Sequence, residues 1–272
     1  MTTPLVQVAL RMRGAVLDSR AAGGWNRVVA MGADGTPTKH IDELAERVLL
    51  EESERAAIDA DILSEEAGLV ERGGRLVLVA DPVDGTHNAT RGLPFYCISL
   101  ALARGSMEGV EEGVVVNVPT GDVFHAVRGE GATLNGARIR VREWERGGET
   151  MSIYLGPEAP GAAFELTRFP KRVRNFGAAA LELALVASGA LDAYIQWGNP
   201  LRVTDVAAGA LILREAGGEV YDLAGARLDM PLNVTTRRDV TATGTADLAA
   251  EVAAFARRAQ KGDALPGGEA VA

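Results

Sequence analysis

The sequence predicts an α+β fold, on two observations. Two amphipathic helical patterns open the chain, and successive strand patterns joined by short turns follow them. Helices followed by neighbouring strands imply a helix-flanked, mostly antiparallel sheet. In the first helix Leu5, Val8, Ala9, Met12, Ala15 and Val16 recur at helical spacing, until Gly23-Gly24 breaks it. A loop of turn residues, Gly32 to Thr38, precedes the second helix, for which Thr38 reads as the N-cap. Ile41, Leu44, Ala45, Val48 and Leu49 form its apolar stripe, and Asp42 falls in its first turn. Ile62 and Leu63 read as a short strand ending in the paired acids Glu65-Glu66. Leu76-Val77-Leu78-Val79-Ala80 is an unbroken apolar run, the pattern of a strand buried on both faces.

Tyr96–Ala103, Gly113–Val118, Val123–Val127 and Ile139–Val141 read as further strands, and Asn135-Gly136 is a hairpin signal. The charged stretch Arg142–Glu149 divides the chain into an N-terminal half, residues 1–145, and a C-terminal half, residues 146–260. The second half reads as a strand at Met151–Leu155, a locally basic loop around Arg172 and Arg174, and a glycine-led helix after Gly177. A strand at Asp192–Gln196 and a buried helix after Asp205 follow, with a last strand at Val240–Ala242 and a last helix at about Leu248–Ala259. Residues 261–272 form a polar tail, expected to be mobile.

A chain of 272 residues suffices for a sizeable core. A net charge of -9 without a basic stripe argues against a nucleic-acid partner. Cys97 is the one cysteine, so no intrachain disulfide forms, and its apolar surroundings make it a small buried hydrophobe. Arg11 and Arg13 interrupt any signal-peptide core, and no run reaches the ~20 apolar residues of a membrane span. The expectation is a soluble, cytoplasmic protein without a membrane partner.

The chemistry concentrates in Asp81-Pro82-Val83-Asp84-Gly85-Thr86-His87-Asn88. A buried strand delivers two acids, the Val83 carbonyl and a glycine-opened turn to one place. Two carboxylates so close repel each other unless a proton or cation intervenes. Oxygen donors suit a hard divalent cation, and Mg²⁺ favours few carboxylates plus substrate phosphate.

This octamer, continued by Ala89-Thr90-Arg91-Gly92-Leu93-Pro94-Phe95, resembles the signature of the inositol monophosphatase and fructose-1,6-bisphosphatase superfamily, most of all its archaeal dual-activity branch. Asp34–Glu46, the acids after Leu63, Gly177–Glu182 and Leu201–Gly218 resemble further motifs of that family, with Thr204 standing where relatives often carry Trp. The resemblance implies a layered αβαβα sandwich and a homodimer. It implies metal ligands at Glu65, Asp81, Val83 (carbonyl), Asp84 and Asp205, for two or three Mg²⁺ ions, with Mn²⁺ an alternative. It implies catalysis by Thr86 and Asp42, which orient the attacking water, and phosphate contacts from Gly85 and Thr86. The substrate would be a small phosphorylated sugar or polyol, myo-inositol 1-phosphate or fructose 1,6-bisphosphate. The alternatives are a nucleotide such as adenosine 3′,5′-bisphosphate and a non-catalytic phosphosugar-binding regulator. Tyr154, Arg172, Arg174, Gly177, Ala178 and Gln196 are the candidates facing the leaving group. Many relatives carry a hydroxyl where Ala178 stands, and inositol-selective ones a carboxylate near Gln196. The two arginines suit a second phosphate.

Overall fold

The apolar run from Leu76 becomes a strand that outlasts it and carries the two aspartates in its last turn of pleat. The computed structural model describes residues 2–20, 23–33 and 35–261. In chain order the elements are α1 (Pro4–Ser19), β1 (Val28–Met31), β2 (Pro37–Lys39), α2 (His40–Arg55), β3 (Ala60–Ser64), β4 (Gly68–Val70), β5 (Leu76–Asp84), α3 (Thr86–Arg91), β6 (Cys97–Ala103), β7 (Val110–Asn117), β8 (Val123–Val127), β9 (Gly131–Leu134) and β10 (Ala137–Arg138). There follow β11 (Thr150–Leu155), β12 (Arg172–Arg174), α4 (Ala179–Ala187), β13 (Ala193–Leu201), α5 (Val203–Glu215), β14 (Glu219–Tyr221), β15 (Arg238–Thr243) and α6 (Ala246–Lys261).

Eight strands form one sheet in the order β10-β9-β8-β7-β6-β5-β3-β4, and five form another in the order β12-β11-β13-β15-β14. Only β3 and β5 run parallel in the larger sheet. Side chains alternate across a strand. Leu78 and Ala80 therefore join the core under α1 and α2, while Val79 joins the core on the other face, with α4 and α5. That second core reaches Tyr194, Val220, Val240 and Ala242 of the smaller sheet. The outer face of the smaller sheet, with Met151, Ile153 and Ile195, is covered by α6. The layers are thus helix, sheet, helix, sheet, helix: an αβαβα sandwich.

The middle layer explains the composition of α5. Every residue from Val203 to Leu213 is buried, as a helix between two sheets requires. Leu211, Ile212 and Leu213 each contribute roughly 1.5–3 kcal/mol by burial. Gly209 lets α5 approach α4, since a Cβ there would meet the Leu183 Cβ at 2.7 Å.

Three local expectations differ. Thr38 is not the cap of α2: it pairs with Ala30 in the β1–β2 ribbon and donates its hydroxyl to Glu66. Lys39 takes the cap position, and its N–H donates to Asp42 Oδ2 at 3.0 Å. Ile139–Val141 is not a strand, because Asn135-Gly136 (φ 52° and 80°) turns the chain after Leu134, and β10 ends at Arg138. Of the tail, Lys261 ends α6 and residues 262–272 lie outside the described residues.

Candidate active site

Four elements converge at the end of β5. Asp81 lies before a bulge in the β5–β6 ladder, and Asp84 lies after it, opposite Cys97. Glu65 follows β3, the parallel neighbour of β5. Asp205 is the third residue of α5, and its Oδ2 accepts the Arg202 N–H at 2.8 Å. One carboxylate oxygen from each of Glu65, Asp81 and Asp205 lies within 4.8 Å of the others. This donor group holds no His or Cys, and its oxygens fit a hard divalent cation. Burial, then the charges of Glu65, Asp84 and Asp205, push the Asp81 pKa well above the ordinary carboxylate range.

Asp84 stands beside this group. Its Oδ2 accepts the Ala180 N–H of α4 at 2.7 Å, and the Cys97 thiol lies 3.6 Å away. Burial and the Asp205 charge push its pKa up to about 7. Burial and the neighbouring aspartates also raise the pKa of Cys97, which stays a neutral thiol.

Gly85 opens α3 with φ 88°. A Cβ there would meet Ala178 Cβ at 3.0 Å and the Phe95 carbonyl at 3.2 Å, so both conformation and space require glycine. The turn places Thr86 Oγ1 2.8 Å from Asp42 Oδ1 and 2.9 Å from the Val83 carbonyl. Burial raises the Asp42 pKa, against the opposing hydrogen bonds from Thr86 and Lys39.

A cleft of about 190 Å³ adjoins these groups. Its wall includes Asp84, Asp205, Arg202, Tyr154, Gly177 and Ala178. Asn88 of α3 ties the wall to the aspartate turn, donating its Nδ2 to the carbonyls of Phe95 at 2.8 Å and Phe176 at 2.6 Å.

The inositol monophosphatase family model matches residues 1–261. The chain belongs to the inositol monophosphatase family. One relative, the fructose-1,6-bisphosphatase/inositol-1-monophosphatase of Methanothermobacter thermautotrophicus, is 38% identical over 237 residues, covering 81% of this chain and 84% of the relative. The bifunctional NADP phosphatase/NAD kinase of Methanococcus maripaludis is 36% identical over 243 residues, covering 80% of this chain and 43% of that longer protein. The solved structure of the MJ0109 gene product, an inositol monophosphatase-fructose 1,6 bisphosphatase, superposes with a TM-score of 0.82 at 27% identity, covering 92% of this chain and 96% of that one.

Within this family member the sugar-facing candidates separate. Tyr154, Gly177, Ala178 and Gln196 line the cleft. Gln196 has its side-chain amide engaged internally, accepting from Tyr194 Oη at 2.7 Å and donating to the Asn199 carbonyl at 2.7 Å. Arg172 and Arg174 are exposed on β12, an edge strand, and do not line the cleft. Glu182 and Arg202 are functional candidates the sequence reading passed over. Glu182 is buried, accepts the Phe176 N–H at 3.2 Å and the Ser152 hydroxyl, and so shapes the loop before α4. Its pKa is raised by burial. Arg202 precedes Asp205 by three residues, one helical turn, and that spacing was the available signal.

The Asp84 shift predicts a pH dependence. In the unfolded chain an aspartate titrates near pH ~3.9. A folded pKa of about 7 means that the metal-free fold favours the protonated form. That contribution to stability is complete below about pH 4 and is lost as pH rises to about 7. A cation needs the ionised form, so its binding releases a proton in this window. Thermal unfolding in EDTA should show stability falling across the window, and saturating Mg²⁺ should remove or reverse the slope. Parallel slopes with and without Mg²⁺ would refute the link.

Proposed function

We propose that this protein is a divalent-metal-dependent phosphatase acting on small sugar or polyol phosphate monoesters, myo-inositol 1-phosphate and fructose 1,6-bisphosphate among them. The observation that carries the reading is the Thr86 hydroxyl, placed between Asp42 and the Val83 carbonyl, with the converging carboxylates of half-buried Glu65 and buried Asp81 and Asp205 in the same site. Glu65, Asp81, Asp84, Asp205 and the Val83 carbonyl would hold the ions, which we take to be two or three Mg²⁺, with Mn²⁺ as substitute. When bound, these ions supply positive charge to the phosphoryl oxygens and acidify water.

The chain's own groups do the aligning. Asp42 Oδ2 is held by the Lys39 N–H, which leaves Oδ1 to receive the Thr86 proton. The Thr86 lone pair then accepts from the attacking water and directs it at phosphorus, with no covalent intermediate. The Gly85 and Thr86 N–H groups donate to the phosphate. The leaving group faces Tyr154 and the Gly177-Ala178 turn, and Arg172 and Arg174, exposed on the edge strand β12 outside the cleft wall, are the groups left to meet a distal phosphate. No described helix is long and apolar enough to cross a membrane. A cytoplasmic homodimer without a nucleic-acid partner completes the proposal.

Inorganic phosphate release from a panel of phosphate esters, with Mg²⁺ or EDTA, tests the reading. Metal-dependent release from both named substrates is expected, with the 1-phosphate leaving fructose 1,6-bisphosphate. Turnover of NADP or adenosine 3′,5′-bisphosphate alone would replace it with the nucleotide reading. Metal binding with no turnover of any ester would leave only a binding protein.

A further inference from the structure

The carboxylate group already contains a cation, and it belongs to the chain. Arg202 donates Nη1 to Glu65 Oε1 and Nη2 to Asp205 Oδ1 at 3.0 Å. Its Nε lies 3.2 Å from Asp205 Oδ2. The side chain is only 12% exposed. The fork therefore spans two of the three carboxylates that converge on one point. Arg202 is also the one cation among the described residues lining the cleft. Burial works against its charge, but Asp205, Glu65 and Asp81 outweigh burial and hold it protonated.

We propose that Arg202 is a built-in counter-cation that sets the metal affinity of the site. It lets the carboxylate group stand assembled without metal, and it weakens metal binding so that ions exchange readily. The effect is electrostatic. Three carboxylates with oxygens within 4.8 Å of one another, two of them buried and Glu65 half-buried, are mutually repulsive, and a largely buried guanidinium beside two of them offsets part of that repulsion. The same positive charge repels an arriving divalent ion and competes with it for oxygens of Glu65 and Asp205. A flexible lysine would not serve as well, because the planar fork of arginine engages both acids at once. The inference rests on reading Glu65, Asp81 and Asp205 as a cation site.

The test uses the full chain, Mg²⁺ alone as probe, and two readouts other than activity: calorimetric affinity and thermal unfolding. Arg202→Met should bind Mg²⁺ roughly tenfold or more tightly than the wild type. It should unfold at lower temperature in EDTA, and its gain in Tm on saturation with Mg²⁺ should exceed that of the wild type. Arg202→Lys, which keeps the charge but reaches one acid at a time, should tighten binding less than Arg202→Met. Should Arg202→Met not fold, Arg202→Gln removes the charge while keeping hydrogen-bond donors, and the same tightening is expected of it. Unchanged or weaker Mg²⁺ affinity in the neutral variants, with Tm lowered equally in EDTA and in Mg²⁺, would make Arg202 a packing strut and overturn the inference while the cation site stands. No Mg²⁺ binding by the wild type would overturn the cation site itself.

Discussion

Asp81→Asn should reduce turnover by roughly 10⁴-fold or more, the scale on which removal of a central catalytic group acts, while making the metal-free protein more stable. The two effects share one cause. Asp81 is buried, and Glu65, Asp84 and Asp205 all disfavour its charge. Asparagine keeps the shape and can still accept the Val83 N–H that Asp81 Oδ1 receives at 3.1 Å. It replaces one of the three carboxylates offered to a cation by a neutral amide and relieves the repulsion between the two that remain. Phosphate release at saturating Mg²⁺ and unfolding in EDTA measure the two halves. Near-normal turnover would remove Asp81 from the site. Lost turnover with lowered metal-free stability would show a folding defect instead.

Thr86→Ala should lose about 10²–10⁴ in kcat, the usual worth of a positioned proton-transfer group, with Mg²⁺ affinity nearly unchanged. The hydroxyl touches Asp42 and the Val83 carbonyl, and is not among the three converging carboxylates. Its loss leaves the cation donors in place and removes the group that aligns water. Thr86→Ser, which retains the hydroxyl, should recover most of the rate. An alanine variant with weakened Mg²⁺ binding and normal kcat at high Mg²⁺ would make Thr86 a support for the Val83 carbonyl rather than a partner of the water.

Much of this site was legible because its parts are local. Asp81, Val83, Asp84, Gly85 and Thr86 lie within six residues at the end of one apolar run, and strand burial with turn chemistry places them together. Asp42 and Asp205 were legible as first-turn acids of helices, and each accepts the N–H three residues before it. Local pattern misleads where two signals compete for the same residue. Thr38 has a good capping side chain, but pairing with Ala30 and a bond to Glu66 claimed it first. Ile139–Val141 has strand-forming residues, yet the ladder ends where β10 does, at Arg138.

By itself the sequence determined the element types, the acids and the turn, since these follow from periodicity, apolar runs and residues adjacent along the chain, while the αβαβα layering came from the family resemblance. Tertiary structure alone decided the partners those acids keep. Asp84 meets the Ala180 N–H across 96 positions, Arg202 meets Glu65 across 137, and Gln196 is turned inward to Tyr194 and Asn199. It also set Arg172 and Arg174 at a sheet edge rather than in the cleft wall. The reason is physical. A side chain's character and spacing fix its element and face, but its partner depends on which distant backbone packing brings within about 3 Å, the reach of a hydrogen bond.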